Sequence, residues 1–414
     1  MKKFISLALV IMLLFSQQMT FAQAVGCGTG RYETDNLYTV QKTNNIQYGS
    51  NINVNNANQN LFLNFYQPDG DTATVRPLMI VAFGGSFIGG DRSQVDAICQ
   101  AYTKMGYCAA AIDYRYGFPF PFTINQITTT LVVVRAAHDM KAAVRFFKKD
   151  AATNNTYKID TNRIIVGGVS AGAIVAIHAA YLNDDSEIPS YLYNDTTGIG
   201  GIEGVSGNPG YSSKVAGVFS YSGTIGDSSW IAANDVPIVS FHETGDGTVP
   251  FDTREVRVSG VPTGLIASGS RDIHVRCDNV GTVNLLYTYA TNGHTAYLGS
   301  DPQVFQKTRD FMFTNVTCKQ DVNSGIANNN LKEPEMNLYP NPTSGILNIE
   351  SFVSTEKPYS INIYDYSGKN VFSEKNLTGS KQQLFLNLSS GIYRVNIQYN
   401  DNQYSVFSRN ILFE

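Results

Sequence analysis

Apolar and polar positions follow two different rhythms along this chain. From about residue 77 to residue 290, compact apolar runs ("PLMIVAF", "YCAAAIDYRYG", "RIIVGG", "VAGVFSYSG", "VPIVSFHE", "VNLLYTYA") are interleaved with segments of helical periodicity ("QVDAICQAYTKMG", "LVVVRAAHDMKAAVRFFKKDA", "AIVAIHAAYL"). Strands that are apolar along their whole length must be covered on both faces, so this rhythm predicts a mostly parallel sheet between helices. Right-handed crossovers then favour a doubly wound α/β arrangement. Residues 34–67, with alternation such as "NLFLNFYQ", predict an antiparallel addition at one edge. From residue 336 the period becomes two, in short runs broken at Asn341-Pro342, Ser367-Gly368 and Ser390-Gly391. That pattern predicts a small all-β sandwich.

Between the two rhythms lies "KQDVNSGIANNNLKEPE", residues 319–335, which is rich in Asn and almost free of large apolar side chains. It reads as a linker between a first domain at 27–318 and a second at 336–414. The chain has 414 residues, 43% of them hydrophobic and 15% charged, with a net charge of −4 and no Lys/Arg cluster. These values suit a large core and disfavour a nucleic-acid partner. At the start, Lys2 and Lys3 precede the apolar run "FISLALVIMLLF" and the small residues of "TFAQA". Residues 1–22 therefore read as a signal peptide, cleaved after Ala22 or Ala24, and no later stretch is apolar enough to span a membrane. A lipoprotein signal acylating Cys27 is the competing reading, but Ala24 stands where a larger aliphatic is usual. Export allows disulfides. The five cysteines (Cys27, Cys99, Cys108, Cys277, Cys318) leave at least one unpaired, and their spacing sets no connectivity. None has metal-site spacing, and neither metal nor cofactor is expected.

Chemistry is expected at "RIIVGGVSAGA", where Gly168-Val169-Ser170-Ala171-Gly172 sits between a strand and a helix. A serine on such a sharp turn presents its hydroxyl at the carboxyl end of the sheet, and the flanking glycines relieve clashes between converging backbones. The N–H of Ala171 then faces a developing oxyanion. Upstream, "LMIVAFGGSFIGGD" ends a strand in consecutive glycines, which leaves the N–H groups of Gly85 and Ser86 open to the same oxygen. A serine needs a base, and the base needs a carboxylate. Of five histidines, His138 and His178 fall in helical patterns, His274 in an irregular segment, and His242 at a strand end where it could line the site. His294, in the polar loop "TNGHTAYL" directly after a strand, is the expected base. "HETGDGTVP" offers Asp246 and Glu243 as acids; Asp246, between glycines, is preferred.

With Ser170, Asp246 and His294 in that chain order, residues from about 27 to 318 resemble α/β-hydrolase-fold carboxylesterases of the lipase and hormone-sensitive-lipase-like type. The match rests on "GGSFIGGD", "AIDYRYG", "DMKAAVRFF", "RIIVGGVSAGA", "HETGDGTVP" and "NGH". The resemblance implies ester hydrolysis through an acyl-enzyme, with oxyanion donors at Gly85, Ser86 and Ala171. Three positions depart from the family pattern. Phe83 replaces the histidine of His-Gly-Gly, which should loosen the donor loop; Ala173 replaces a glycine; Glu243 stands where glycine is common. Residues 336–414 resemble the type A sorting domain of the type IX (Por) secretion system of Bacteroidetes, through "LYPNPTSGILNIE", "IYDYSGKNV" and "LSSGIYRVNI". This implies export across the outer membrane by that machinery, then release or attachment at the cell surface. Phe87, Trp230 and His242 are candidate pocket residues, and with the aromatic run 114–122 they suit a mid-length acyl, aromatic or polymeric ester. A prolyl-oligopeptidase-like serine peptidase shares the fold and triad order but would need a propeller domain, which the sequence lacks. A binding protein on a lapsed hydrolase scaffold is the other alternative.

Overall fold

A computed structural model describes residues 24–119, 123–193, 199–319, 336–351, 358–365, 369–399 and 407–414. The signal-peptide segment 1–22, the linker from residue 320 to 335, and the turn at Ser367-Gly368 lie outside the described residues. The chain divides into two compact units, residues 1–321 and 322–414.

The first unit is built on one sheet of eight strands: β1 (Val40–Ile52), β2 (Asn58–Pro68), β3 (Arg76–Ala82), β4 (Cys108–Ile112), β5 (Ile159–Val169), β6 (Gly217–Tyr221), β8 (Ile238–Glu243) and β11 (Asn284–Tyr289). Their spatial order is β1-β2-β4-β3-β5-β6-β8-β11. β1 pairs antiparallel with β2, and β2 antiparallel with β4; every other pairing is parallel. Helices α1 (Asp96–Lys104), α2 (Gln126–Ala152), α3 (Ala171–Tyr181), α4 (Ser270–Val280), α5 (Tyr297–Ser300) and α6 (Val304–Met312) connect and cover it. α1 packs on α6 and α2 on α3. Every residue of β3, β4, β6 and β8 is buried, which is why those stretches carry no alternation. At the edge, β1 is exposed at most of its positions.

This order decides where chemistry can sit. From β3 the chain crosses to β4 on one side, then returns past β3 to β5 and continues through β6, β8 and β11 on the other. The strand order therefore reverses between β3 and β5, and loops leaving their carboxyl ends diverge to form a crevice. Those two loops carry Gly84–Phe87 and Ser170.

Long-range polar contacts lock the frame around α2. Asn125 caps this helix by accepting from the Thr128 N–H, while the Thr128 hydroxyl accepts from the Asn125 N–H. Farther along, Asp139 receives the Arg115 N–H at 2.7 Å and its guanidinium at 2.9 Å, with both side chains buried. Arg115 also donates to the carbonyls of Ile52 and Arg135 and to Ser206. The blocks "AIDYRYG" and "DMKAAVRFF" thus meet in a buried, paired ion bridge.

A smaller sheet, β7 (Thr224–Ile225), β10 (Val261–Gly269) and β9 (Arg254–Val258), is set off from the main one. In the second unit, β12 (Met336–Tyr339), β13 (Ile346–Ser351) and β16 (Lys381–Phe385) form one antiparallel sheet. β14 (Tyr359–Tyr364), β15 (Asn370–Leu377), β17 (Gly391–Tyr399) and β18 (Phe407–Phe413) form another. Alternate residues of β13, β14 and β17, among them Leu347, Ile349, Ile361, Ile363, Val395 and Ile397, share one core.

Cys27 and Cys318 form a disulfide that joins the two ends of the first unit, with Cα atoms 5.7 Å apart. The bonded sulfur of Cys27 is not available for acylation. Cys99, Cys108 and Cys277 are free and buried; burial pushes the thiol of Cys108 up to about 11 and that of Cys277 to about 12. Replacing Cys27 or Cys318 with serine is expected to lower unfolding free energy by roughly 2–4 kcal/mol, read from denaturant curves. A thiol reagent should label the three free cysteines only after unfolding.

Candidate active site

Ser170 occupies a backbone conformation that few residues tolerate, φ 54° and ψ −120°, between β5 and α3. Its neighbours make this turn sterically feasible. A Cβ on Gly172 would lie 2.1 Å from the Ala82 carbonyl oxygen, and one on Gly168 would lie 2.4 Å from the backbone of Gly172. Glycine at both places lets α3 start directly behind β3 and β5. The Ser170 N–H donates to the Tyr221 carbonyl at 2.7 Å, fixing the turn to β6. Ala173 is fully buried in α3, so its methyl group is accommodated there.

The serine hydroxyl meets an imidazole, and that imidazole meets a carboxylate. Ser170 Oγ lies 2.8 Å from His294 Nε2, and His294 Nδ1 lies 2.7 Å from Asp246 Oδ2. In the matching tautomer Nδ1–H donates to the carboxylate and Nε2 accepts from the serine hydroxyl. Asp246 is fully buried, and its other oxygen accepts from the N–H groups of Thr248 at 2.8 Å and Val249 at 3.0 Å. Burial alone would raise its pKa, but hydrogen bonds from His242, His294 and Val249 outweigh that and hold the carboxyl well below the usual carboxylate range.

On the other side of Ser170, Gly85, Ser86 and Phe87 all have positive φ, at 122°, 52° and 57°. A Cβ on Gly85 would strike the Gly89 carbonyl oxygen at 2.0 Å, so this tight loop requires glycine. Among the described residues, no protein acceptor takes the N–H of Gly85, Ser86 or Ala171. Phe83 does not leave the loop unsupported. Its ring stacks on Tyr114 with centroids 4.4 Å apart and meets Tyr116 edge-on, and the Tyr114 hydroxyl donates to the Phe83 carbonyl at 2.9 Å. Aromatic packing and one buried hydrogen bond thus anchor the loop's first residue.

A cavity of about 150 Å³ adjoins Ser170, and its lining is largely apolar. Ser86, Phe87, Ala171 and Trp230 are on its wall. So are Val256, Val258 and Leu265 of the β9–β10 hairpin, which the sequence reading had not singled out. Their sequence signal was the alternation in "REVRV" beside the glycines of the turn. Of the aromatic run 114–122, residues 120–122 lie outside the described residues.

His242 is not on that wall, contrary to expectation. It is fully buried, with Nδ1 2.7 Å from Ser270 Oγ and Nε2 3.3 Å from Asp246 Oδ2, because its face of β8 is covered by the start of α4. Glu243, the alternative acid, turns elsewhere: Oε1 accepts from the Ala296 N–H at 3.0 Å, beneath the turn that carries His294. His178 is packed, its Nδ1–H donating to the Ile174 carbonyl and its Nε2 accepting from the Gly226 N–H, with Trp230 edge-on to the ring.

Residues 63–207 match the BD-FAE family, an α/β-hydrolase esterase family, and residues 337–410 match the secretion system C-terminal sorting domain. The BD-FAE match contains Gly85, Ser86, Ser170 and Ala171 but ends before Asp246 and His294. No curated protein matches the chain. Similar solved structures include Thermogutta terrifontis esterase 2 phosphorylated by paraoxon, at 18% identity and TM-score 0.46, covering 69% of this chain and 97% of that one. The same enzyme with propionate bound is 20% identical, with TM-score 0.45 and coverage of 69% and 96%. No helix among the described residues is long and apolar enough to cross a membrane.

Two outcomes test the supports of this site. Tyr114→Phe removes the hydroxyl that holds Phe83 and should cost about 1 kcal/mol of stability, with a lower rate of serine labelling by a fluorophosphonate. Three buried histidines set a pH dependence. Burial pulls His138 down to about 3, assisted by Lys141, Arg115 and Arg145, and pulls His178 and His274 to about 4, against their hydrogen bonds to Ile174 and Asn284. The unfolded chain takes up these protons below about pH 6.5, so their contribution to stability is complete above that value and is lost as pH falls toward 4. Urea midpoints should fall across this range.

Proposed function

We propose that the protein is an exported serine carboxylesterase. The observation that carries this reading is the unbroken contact chain from Ser170 through His294 to Asp246 beside an apolar cavity. Ser170 Oγ attacks the ester carbonyl carbon while His294 Nε2 takes its proton. Asp246 holds the imidazole in orientation and balances the charge it gains. The N–H groups of Gly85, Ser86 and Ala171 donate to the tetrahedral oxyanion. On collapse His294 protonates the departing alcohol, leaving an acyl-Ser170. Water then enters, gives its proton to His294, and releases the acid. These steps require no cofactor.

The cavity suggests what is held. An apolar space of this size accepts a group about as large as a benzene ring, or a short acyl chain; of the charged side chains on its wall, Glu187 is half-buried and Arg257 exposed. The sorting domain supports delivery by the type IX machinery, with the enzyme acting outside the cell on esters it meets there.

With p-nitrophenyl esters, Ser170→Ala should reduce kcat by about 10⁴-fold or more, and a fluorophosphonate should label wild type but not this variant. Wild-type turnover by Ser170→Ala would refute the assignment. Acyl groups of two to four carbons should give a higher kcat/KM than chains of ten or more.

A further inference from the structure

The carboxylate of Asp246 serves two imidazoles. Oδ2 is 2.7 Å from His294 Nδ1 and 3.3 Å from His242 Nε2, while Oδ1 is occupied by two backbone N–H groups. His242 has no exposed surface, so both its nitrogens must find partners inside the protein. Nδ1 lies 2.7 Å from the Ser270 hydroxyl, which is also 3.2 Å from the Gly223 carbonyl; Nε2 lies 3.2 Å from the Val249 carbonyl. The shorter contact takes the Ser270 proton to Nδ1. Nε2 then carries the hydrogen, shared between Asp246 Oδ2 and the Val249 carbonyl.

We infer that His242 is a positioning residue for the esterase reaction, orienting the Asp246 carboxylate toward His294 and drawing off part of its charge. This rests on the Ser170–His294–Asp246 reading. Two backbone N–H groups fix Oδ1, and His242 adds to His294 a second donor on Oδ2, so that this buried carboxylate, with four donors, has one orientation. His242 also competes with His294 for the same oxygen. Without it, the whole charge of that oxygen faces the imidazolium that forms when His294 takes the serine proton. The other titratable or charged groups around His242 are Asp246 and Arg254, which donates to the Asp246 carbonyl; His274 of α4; His294; and Glu243, next in the chain. None of these is altered in the variants below.

His242→Ala, His242→Gln and Ser270→Ala are compared with wild type for kcat, KM and the pH profile of kcat/KM, with Ser170→Ala as reference. His242→Ala is expected to lose roughly ten- to a hundredfold in kcat with KM unchanged, the size of one hydrogen bond to a charged group. Its acid limb should move to higher pH. Glutamine offers an N–H to Asp246 and an oxygen to Ser270, so His242→Gln should stay within about threefold of wild type. Ser270→Ala, which unfastens His242 without removing it, should shift the limb the same way by a smaller amount. This keeps the test open if the alanine variant does not fold. Wild-type kcat in His242→Ala would overturn the inference, as would equal losses in both His242 variants, or an unshifted limb in Ser270→Ala. If Ser170→Ala is inactive while the His242 and Ser270 variants behave as wild type, only the positioning role fails; if Ser170→Ala is active, the underlying reading fails with it.

Discussion

The geometry around Ser170 depends on how closely three backbones approach one another. β3, β5 and the first turn of α3 meet where the Ala82 carbonyl oxygen leaves no room for a side chain at Gly168 or Gly172. With that space kept, the serine can hold its positive φ and the helix can begin at once behind it. Strain of this kind persists only where surrounding structure over-determines it. Here the parallel ladder to β3 and β6 and the Ser170 N–H bond to Tyr221 do so.

Everything else at the site is hung from loops at that end of the sheet. The Gly84–Phe87 loop leaves β3, the Asp246 loop leaves β8 and the His294 loop leaves β11. Each is held by a different physical device. Phe83 and Tyr114 stack beneath the first. Backbone N–H groups and two imidazoles converge on Asp246 in the second. Glu243 reaches under the third to the Ala296 N–H. Glu243 thus works within the site's scaffold, not as a rival for His294, and Phe83 substitutes packing for the polar anchor of the His-Gly-Gly pattern. Neither departure removes a group from the Ser170–His294–Asp246 line.

The pocket wall has a separate origin. Trp230 and His178 brace one another, and the β9–β10 hairpin contributes valine and leucine from between the Asp246 and His294 loops. Local changes in that hairpin would alter the cavity while leaving Ser170, His294 and Asp246 untouched. The second unit has its own core of alternating strand residues and contains no histidine or cysteine.

Periodicity was enough to determine the order and type of the sheet strands and of α1, α2 and α3, because burial on two faces, on one face or along a helical stripe leaves a local record in the chain; the segment around His274, read as irregular, is helix α4. Steric demand made the Ser170 turn legible too: only glycine fits at Gly168 and Gly172, and both lie within two residues of the serine. The parts that sequence left open depend on contacts between distant residues. Cys27 finds Cys318 across 291 positions, and Ser170 finds His294 across 124. Glu243, the last residue of β8, turns to the Ala296 N–H, while Asp246, three residues farther on in the loop, faces the imidazole. His242 was placed behind Asp246 by the cover that α4 provides over one face of β8. No local pattern records a direction or a cover; those were decided when the sheet closed under its helices.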